Sequence, residues 1–228
     1  MAGEHSGHRK RLDEKSKLLG FDALEEHEQL EKLLFSVIPQ GNTNPLAHHL
    51  LDHCGSLYGV LTAEPEELTK IPGVGHRTAQ FLHDLLPLLG CVERCMLREN
   101  GRQYPYLGTE EERGFFAKSL FYGKLTECCY MVSLNKKQQA YRFDKVSEGS
   151  VDETPIYVKE MVKLALRTNA DSVMVVHNHP SGSLVPSRSD IAATQELSRS
   201  LDAVGIPLID HIIVACGAYQ SLKKMGVY

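Results

Sequence analysis

In the segment VMVVHNHPSGSLVPSRSD, from Val173 to Asp190, two histidines stand one residue apart at the end of an apolar run. A strand sends alternate side chains to opposite faces, so His177 and His179 project together while Asn178 points away. Two imidazoles on one side of a strand end can meet one metal ion. Pro180, Gly182 and Pro186 then turn the chain, and Ser187 and Asp190 fall at the start of the next helix, whose first turn can return a carboxylate toward the strand end. Three N and O ligands with one open position describe a catalytic zinc site, whereas structural zinc is usually closed by four ligands, often thiolates. Each part has a simpler reading by itself. Strand-end histidines often only hydrogen-bond, and Ser187 with Asp190 fits a helix N-cap followed by an acid three residues on. The combination HxHPx6SxxD directly after an apolar strand is far rarer than either part, and it nominates His177, His179 and Asp190 as ligands of Zn2+.

The elements that must position these residues alternate between strand and helix. TEEERGFFAKSLFY (Thr109 to Tyr122) reads as a helix opened by a capping box of Thr109 and Glu112. ECCYMVSLN and QQAYRFDKVSEG read as strands around a polar turn at Asn135 to Gln138. PIYVKEMVKLALR (Pro155 to Arg167) is helical with proline at its start, Ser172 to Val176 is a short buried strand, Asp190 to Leu201 an amphipathic helix and Ile206 to Cys216 a further strand region. This predicts an α/β domain with a mixed sheet over 107–228. Before it, Ala23 to Leu89 carries helical periodicity in three segments, ALEEHEQLEKLLFSVI, NPLAHHLLDHCGSLYGVL and HRTAQFLHDLLPLL, and CVERCML either prolongs the last helix or forms its own. The polar stretch ENGRQYPY suggests a linker over 99–106, leaving 1–98 as a small all-helical domain.

Across about 120 residues the chain resembles the JAMM, or MPN+, metalloproteases, and within them the RadC family, whose members carry a DNA-repair name. The resemblance rests on HNHPSG, PSRSDI and LIDHIIV, and extends upstream through VSEGSVDETPIYVKEMVKLALRTNA. It implies an MPN/JAMM-like, cytidine-deaminase-like mixed sheet with flanking helices, and a zinc-dependent hydrolase acting on an amide or isopeptide bond of a peptide substrate. It also implies that Glu127, opening ECCYMVSLN, is the general base, with Glu148 and Glu160 as rival carboxylates outside the pattern. Ser187 would, by the same resemblance, hydrogen-bond the oxyanion of the tetrahedral intermediate in addition to capping its helix. Asp210 or His211 could orient a ligand histidine or form a plain strand-end polar pair. The chain departs from the family at Val158, Lys159 and Glu160, where Pro-Arg-Glu is usual, so no role is carried over for that arginine.

Further upstream, IPGVGHRT lies between two helix-like segments, and its glycines permit the tight turn of a helix-hairpin-helix module. In such a module backbone amides at Gly73 and Gly75, with Arg77 beside them, would receive a DNA phosphate; a purely structural or partner-binding hairpin is the alternative. Residues 1–90 hold 8 Lys or Arg against 13 Asp or Glu within a chain of formal net charge −4. That excludes a body that grips nucleic acid mainly through phosphates and leaves room only for local DNA contact. No apolar run reaches the roughly 18 residues of a membrane span, and MAGEHSGHRKRLDEKSK lacks a signal-type hydrophobic stretch, so a cytoplasmic protein with reduced cysteines is expected. A DNA-binding accessory module and a zinc-dependent nuclease stand as the competing functions; the latter is disfavoured because many nucleases use two metals.

Overall fold

The computed structural model describes residues 3–98, 103–149 and 154–228. Helices α1 (Gly3–Leu19), α2 (Glu26–Leu34), α3 (Asn44–Cys54), α4 (Leu57–Thr62), α5 (Pro65–Leu68) and α6 (His76–Met96) occupy the N-terminal part. The chain divides into two compact units, Met1–Leu88 and Leu89–Tyr228, with the division inside α6. Of the stretch 99–106 nominated as a linker, residues 99–102 lie outside the described residues.

The first unit closes on Leu30, Leu34, Leu50, Val60, Leu68, Ile71, Val74 and Leu82, all buried. The apolar pattern from Asn44 to Leu61 predicts continuous helix, yet the structure breaks it. Gly55 takes the left-handed conformation at the end of α3 (φ 81°), and the Ser56 hydroxyl accepts the Gly59 amide at 3.0 Å to start α4. Local capping outweighs periodicity there because the apolar residues of both helices face the same core. Helix α1, which the apolar periodicity does not announce, is tied to α2 by polar contacts, Lys15 to Glu28 at 2.5 Å and Lys32 to Asp13 at 2.5 Å.

In the second unit α6 runs on through Cys91–Met96, so CVERCML prolongs the helix. Then follow α7 (Glu110–Ser119), β1 (Cys128–Leu134), β2 (Ala140–Glu148), α8 (Thr154–Thr168), β3 (Ser172–Asn178), α9 (Arg188–Asp202), β4 (Leu208–Ala215) and β5 (Ala218–Ser221). The sheet order is β2-β1-β3-β4-β5, antiparallel except for the β3/β4 pair, which α9 connects by a crossover. Period-two alternation sorts the strand residues between two cores. Cys128, Val132, Met174, Val176, Ile212 and Val214 meet Phe116 and Leu120 on the α7 side. Cys129, Met131, Val173, Val175 and Leu208 meet Met161, Ala165, Leu197 and Leu201 of α8 and α9 on the other. With helices on both faces, β3 is buried along its whole length, which explains its unbroken apolar run.

Candidate metal centre

The end of β3 and the start of α9 bring together the residues singled out by spacing. His177 and His179 approach Nε2 to Nε2 at 2.8 Å, while Asp190 places Oδ1 3.4 Å from His177 Nε2 and Oδ2 3.6 Å from His179 Nε2. His179 is anchored by its amide donating to the Val214 carbonyl at 2.9 Å, and the following turn closes with the Gly182 amide on the His179 carbonyl at 3.0 Å. Gly182 sits at φ +84°, a backbone conformation that favours glycine, and a Cβ there would also press on Cys216 Sγ at 3.0 Å. Asp190 is held by a capping box: the Ser187 amide and hydroxyl donate to its Oδ2 at 2.7 and 2.6 Å, and its own amide donates to Ser187 Oγ at 3.1 Å. The helix-cap and ligand readings of Ser187 and Asp190 are therefore one geometry.

The protons on the imidazoles follow from their partners. Thr194 donates its single hydroxyl proton to the Asp190 carbonyl at 2.5 Å, so the 2.6 Å contact between Thr194 Oγ1 and His211 Nδ1 requires the proton on His211. Burial holds His211 well below the ordinary imidazole range, aided by His177 and His179, and a neutral His211 then presents a lone pair at Nε2. That lone pair accepts from His177 Nδ1 at 2.8 Å. His177 is itself lowered to about 4 by burial, with Asp190 pulling up and His179 pushing down, so it is neutral and leaves Nε2 unprotonated. His179 Nδ1 faces the Ser183 carbonyl at 2.7 Å, which can only accept, so in the neutral ring Nε2 is again the bare nitrogen. With both rings neutral, two lone pairs face each other beside a carboxylate, an arrangement that a cation would satisfy. A tetrahedral zinc with bonds of about 2.0–2.1 Å spaces its ligands by roughly 3.3 Å. The donor set fits that ion with a small opening of the histidine pair.

Glu127 directly precedes β1. The β1/β3 register pairs Cys129 with His177; carried two residues outward, it sets Glu127 opposite His179 and on the same sheet face as His177. Partial burial raises its carboxyl above the usual range, His179 pulls it back and Asp190 pushes it up, so the group lies within electrostatic reach of both. The two rival carboxylates lie elsewhere. Glu148 bonds Lys145 and contacts Cys128 Sγ at 3.6 Å on the α7 side, and Glu160 is exposed on α8 with Lys163 at 2.7 Å. The neighbours Asp210 and His211 divide by strand alternation. His211 faces the histidines, whereas Asp210 turns to Arg113 at 3.2 Å and Ser221 at 2.7 Å.

In the first unit, Gly73 lies at φ +91° in the turn between α5 and α6, the Gly75 carbonyl accepts the Thr78 and Ala79 amides as α6 begins, and Arg77 is exposed on its first turn. Lys70 of the same turn is paired with Glu67 at 2.6 Å. Sequence reasoning missed Thr194, whose only signal is its place one helical turn beyond Asp190, and Asn178, set aside because it points away from the histidines.

A mixed five-stranded sheet between helices, offering His-x-His from a strand end and an aspartate from the next helix, defines a JAB-type α/β domain. The family described as the RadC-like JAB domain matches residues 109–227, and the chain belongs to that family. It is similar over nearly its whole length to UPF0758 proteins of three bacteria. That of Rhodobacter capsulatus is 32% identical over 208 residues, covering 91% of this chain and 95% of the relative. That of Ruegeria pomeroyi is 34% identical over 219 residues, 96% of each chain, and that of Fusobacterium nucleatum subsp. nucleatum 31% over 232 residues, 98% of each. Among the described residues no helix is long and apolar enough to cross a membrane.

Proposed function

We propose that this chain is a zinc-dependent hydrolase of the JAMM type that cleaves an amide or isopeptide bond of a peptide substrate in the cytoplasm, with His177, His179 and Asp190 holding the ion. The observation that carries this reading is the convergence of two imidazole nitrogens and a carboxylate oxygen within 4.8 Å of one another. Zinc bound there would supply Lewis acidity, polarising a carbonyl and bringing a water toward ionisation near neutral pH. The remaining work falls to the chain. Glu127, with its carboxyl raised by burial, takes the proton of the attacking water and returns it to the leaving amine. Ser187, whose hydroxyl can rotate away from Asp190, donates to the developing oxyanion. His211 and Thr194 hold His177 in the required tautomer.

The N-terminal helices carry a second, separable reading as a helix-hairpin-helix domain touching DNA phosphate through Gly73, Gly75 and Arg77. It is favoured by the positive φ of Gly73 in a short turn between α5 and α6. Binding of branched or single-stranded DNA that weakens with salt supports it, and no binding at low salt removes it. The hydrolase reading is tested by screening zinc-loaded protein against peptide, isopeptide and nucleic-acid substrates with Glu127→Gln as the blank. Turnover of a peptide or isopeptide bond that falls by ~10² to 10⁴ in the variant, with zinc content kept, is the expected result. Turnover unchanged in the variant removes Glu127 from the reaction, and cleavage of nucleic acid alone replaces the reading with a nuclease.

A further inference from the structure

Asn178, between the two histidines, is buried and faces away from them, toward the start of the neighbouring strand. Its Oδ1 accepts the Cys128 amide at 2.7 Å and its Nδ2 donates to the Thr126 carbonyl at 2.9 Å. An amide N–H can only donate and a carbonyl can only accept, so these partners fix the orientation of the carboxamide. The residue between them is Glu127, whose own carbonyl accepts the Gly149 amide at 2.8 Å. Three consecutive residues, Thr126 to Cys128, thus each have a backbone group tied down, two of them by one side chain. Among side chains of this length only asparagine carries a donor and an acceptor that reach both: aspartate lacks the donor, and serine has a single oxygen.

We propose that Asn178 is a positioning residue that clamps the backbone on both sides of Glu127 and so aims its carboxylate at the site formed by His177, His179 and Asp190. The inference rests on the general-base reading of Glu127. It explains why one strand end serves two elements of the site: the period of two that turns the histidines toward the ion turns the residue between them toward β1. The two histidines and the clamp on Glu127 then come from a single tripeptide, His177 to His179, so the histidine pair and the base are placed by the same strand end. Carboxylate placement matters because a proton acceptor displaced by about 1 Å loses most of its contribution.

The test uses full-length, isotopically labelled protein, with Zn2+ as the probe. In the metal-free state, Asn178→Ala should let the Cys128 and Gly149 amides exchange about tenfold faster, the loss expected for a net hydrogen bond. On zinc addition, the imidazole signals of His177 and His179 should shift in the variant as in the wild type. The Glu127 carboxyl carbon, which responds to zinc in the wild type, should cease to respond. Asn178→Asp, isosteric and still able to accept from Cys128, keeps the test decisive should the alanine variant fail to fold; it should protect the Cys128 amide, expose that of Gly149 and weaken the Glu127 response. A Glu127 signal that follows zinc equally in variant and wild type overturns the proposal, as does parallel loss of zinc and of the Glu127 response, which would make Asn178 a strand-end packing residue. A wild-type Glu127 that ignores bound zinc overturns the general-base reading and the proposal with it. Should zinc not bind the wild type at all, the metal reading fails, and the amide exchange alone decides whether Asn178 holds the segment.

Discussion

The Thr194 hydroxyl has one proton, and its place on the Asp190 carbonyl dictates every proton position from His211 to the bare Nε2 of His177. Without that hydroxyl, His211 can shift its proton to Nε2, which would turn the proton of His177 to the metal side and block the lone pair. Thr194→Val is therefore expected to weaken zinc binding by about 10- to 100-fold, the usual effect of losing a partner that orients a ligand. Thr194→Ser, which keeps the hydroxyl, should bind like the wild type. Chelator competition measures the affinity, and nitrogen NMR of the imidazoles reads the tautomers. Wild-type affinity and unchanged tautomers in Thr194→Val would refute the relay. At this level the clustering of the three side chains was legible because both of its rules are local: period two brings His177 and His179 to one side, and a helix start returns Asp190. Thr194 was not legible, because its role depends on His211 lying across the β3/β4 pair, a contact that no spacing within either segment encodes.

Helix α9 enters the site through its cap. Ser187 satisfies the Asp190 amide and in return fixes Asp190 Oδ2, so the interaction that starts the helix also holds the carboxylate proposed to bind the ion. Ser187→Ala should cost about 1 kcal/mol of stability in the metal-free protein, the typical value of an N-cap, and should weaken zinc as well. Ser187→Thr should restore both. Chemical denaturation and zinc competition on the same variants check this; a stability loss with full zinc affinity would separate cap from ligand. Most of the second unit's elements follow from periodicity, including the turn at Asn135 to Gln138, where Asn135 Oδ1 accepts the Lys137 amide at 2.9 Å and Gln138 takes φ 56°. Strand β5 did not: Ala218–Ser221 is too short and too polar for an alternating signal, and it exists because β4 offers an open edge to pair with. The break at Gly55 escaped for the opposite reason, since the apolar pattern continues through it.

The two units share α6, and its second half belongs with the α/β unit. Within that unit Arg94 Nη1 donates to the Ser119 carbonyl at 2.6 Å, Tyr122 donates to Glu93 at 2.9 Å, and Leu97 packs on the α7-side core. A fragment of residues 89–228 should therefore fold and bind zinc. One of residues 107–228 should be less stable by about 1–3 kcal/mol, because its Ser119 carbonyl loses a charged partner. Denaturation midpoints of the two fragments decide, and equal stability would place the end of α6 outside the fold of the second unit.

The proposed chemistry of the site depends on the ion. Metal analysis of the full chain, reconstituted with zinc at neutral pH, is expected to give about one zinc per chain in the wild type and in Cys54→Ser, and strong loss in Asp190→Asn. No zinc in the wild type, or equal loss in both variants, would contradict it.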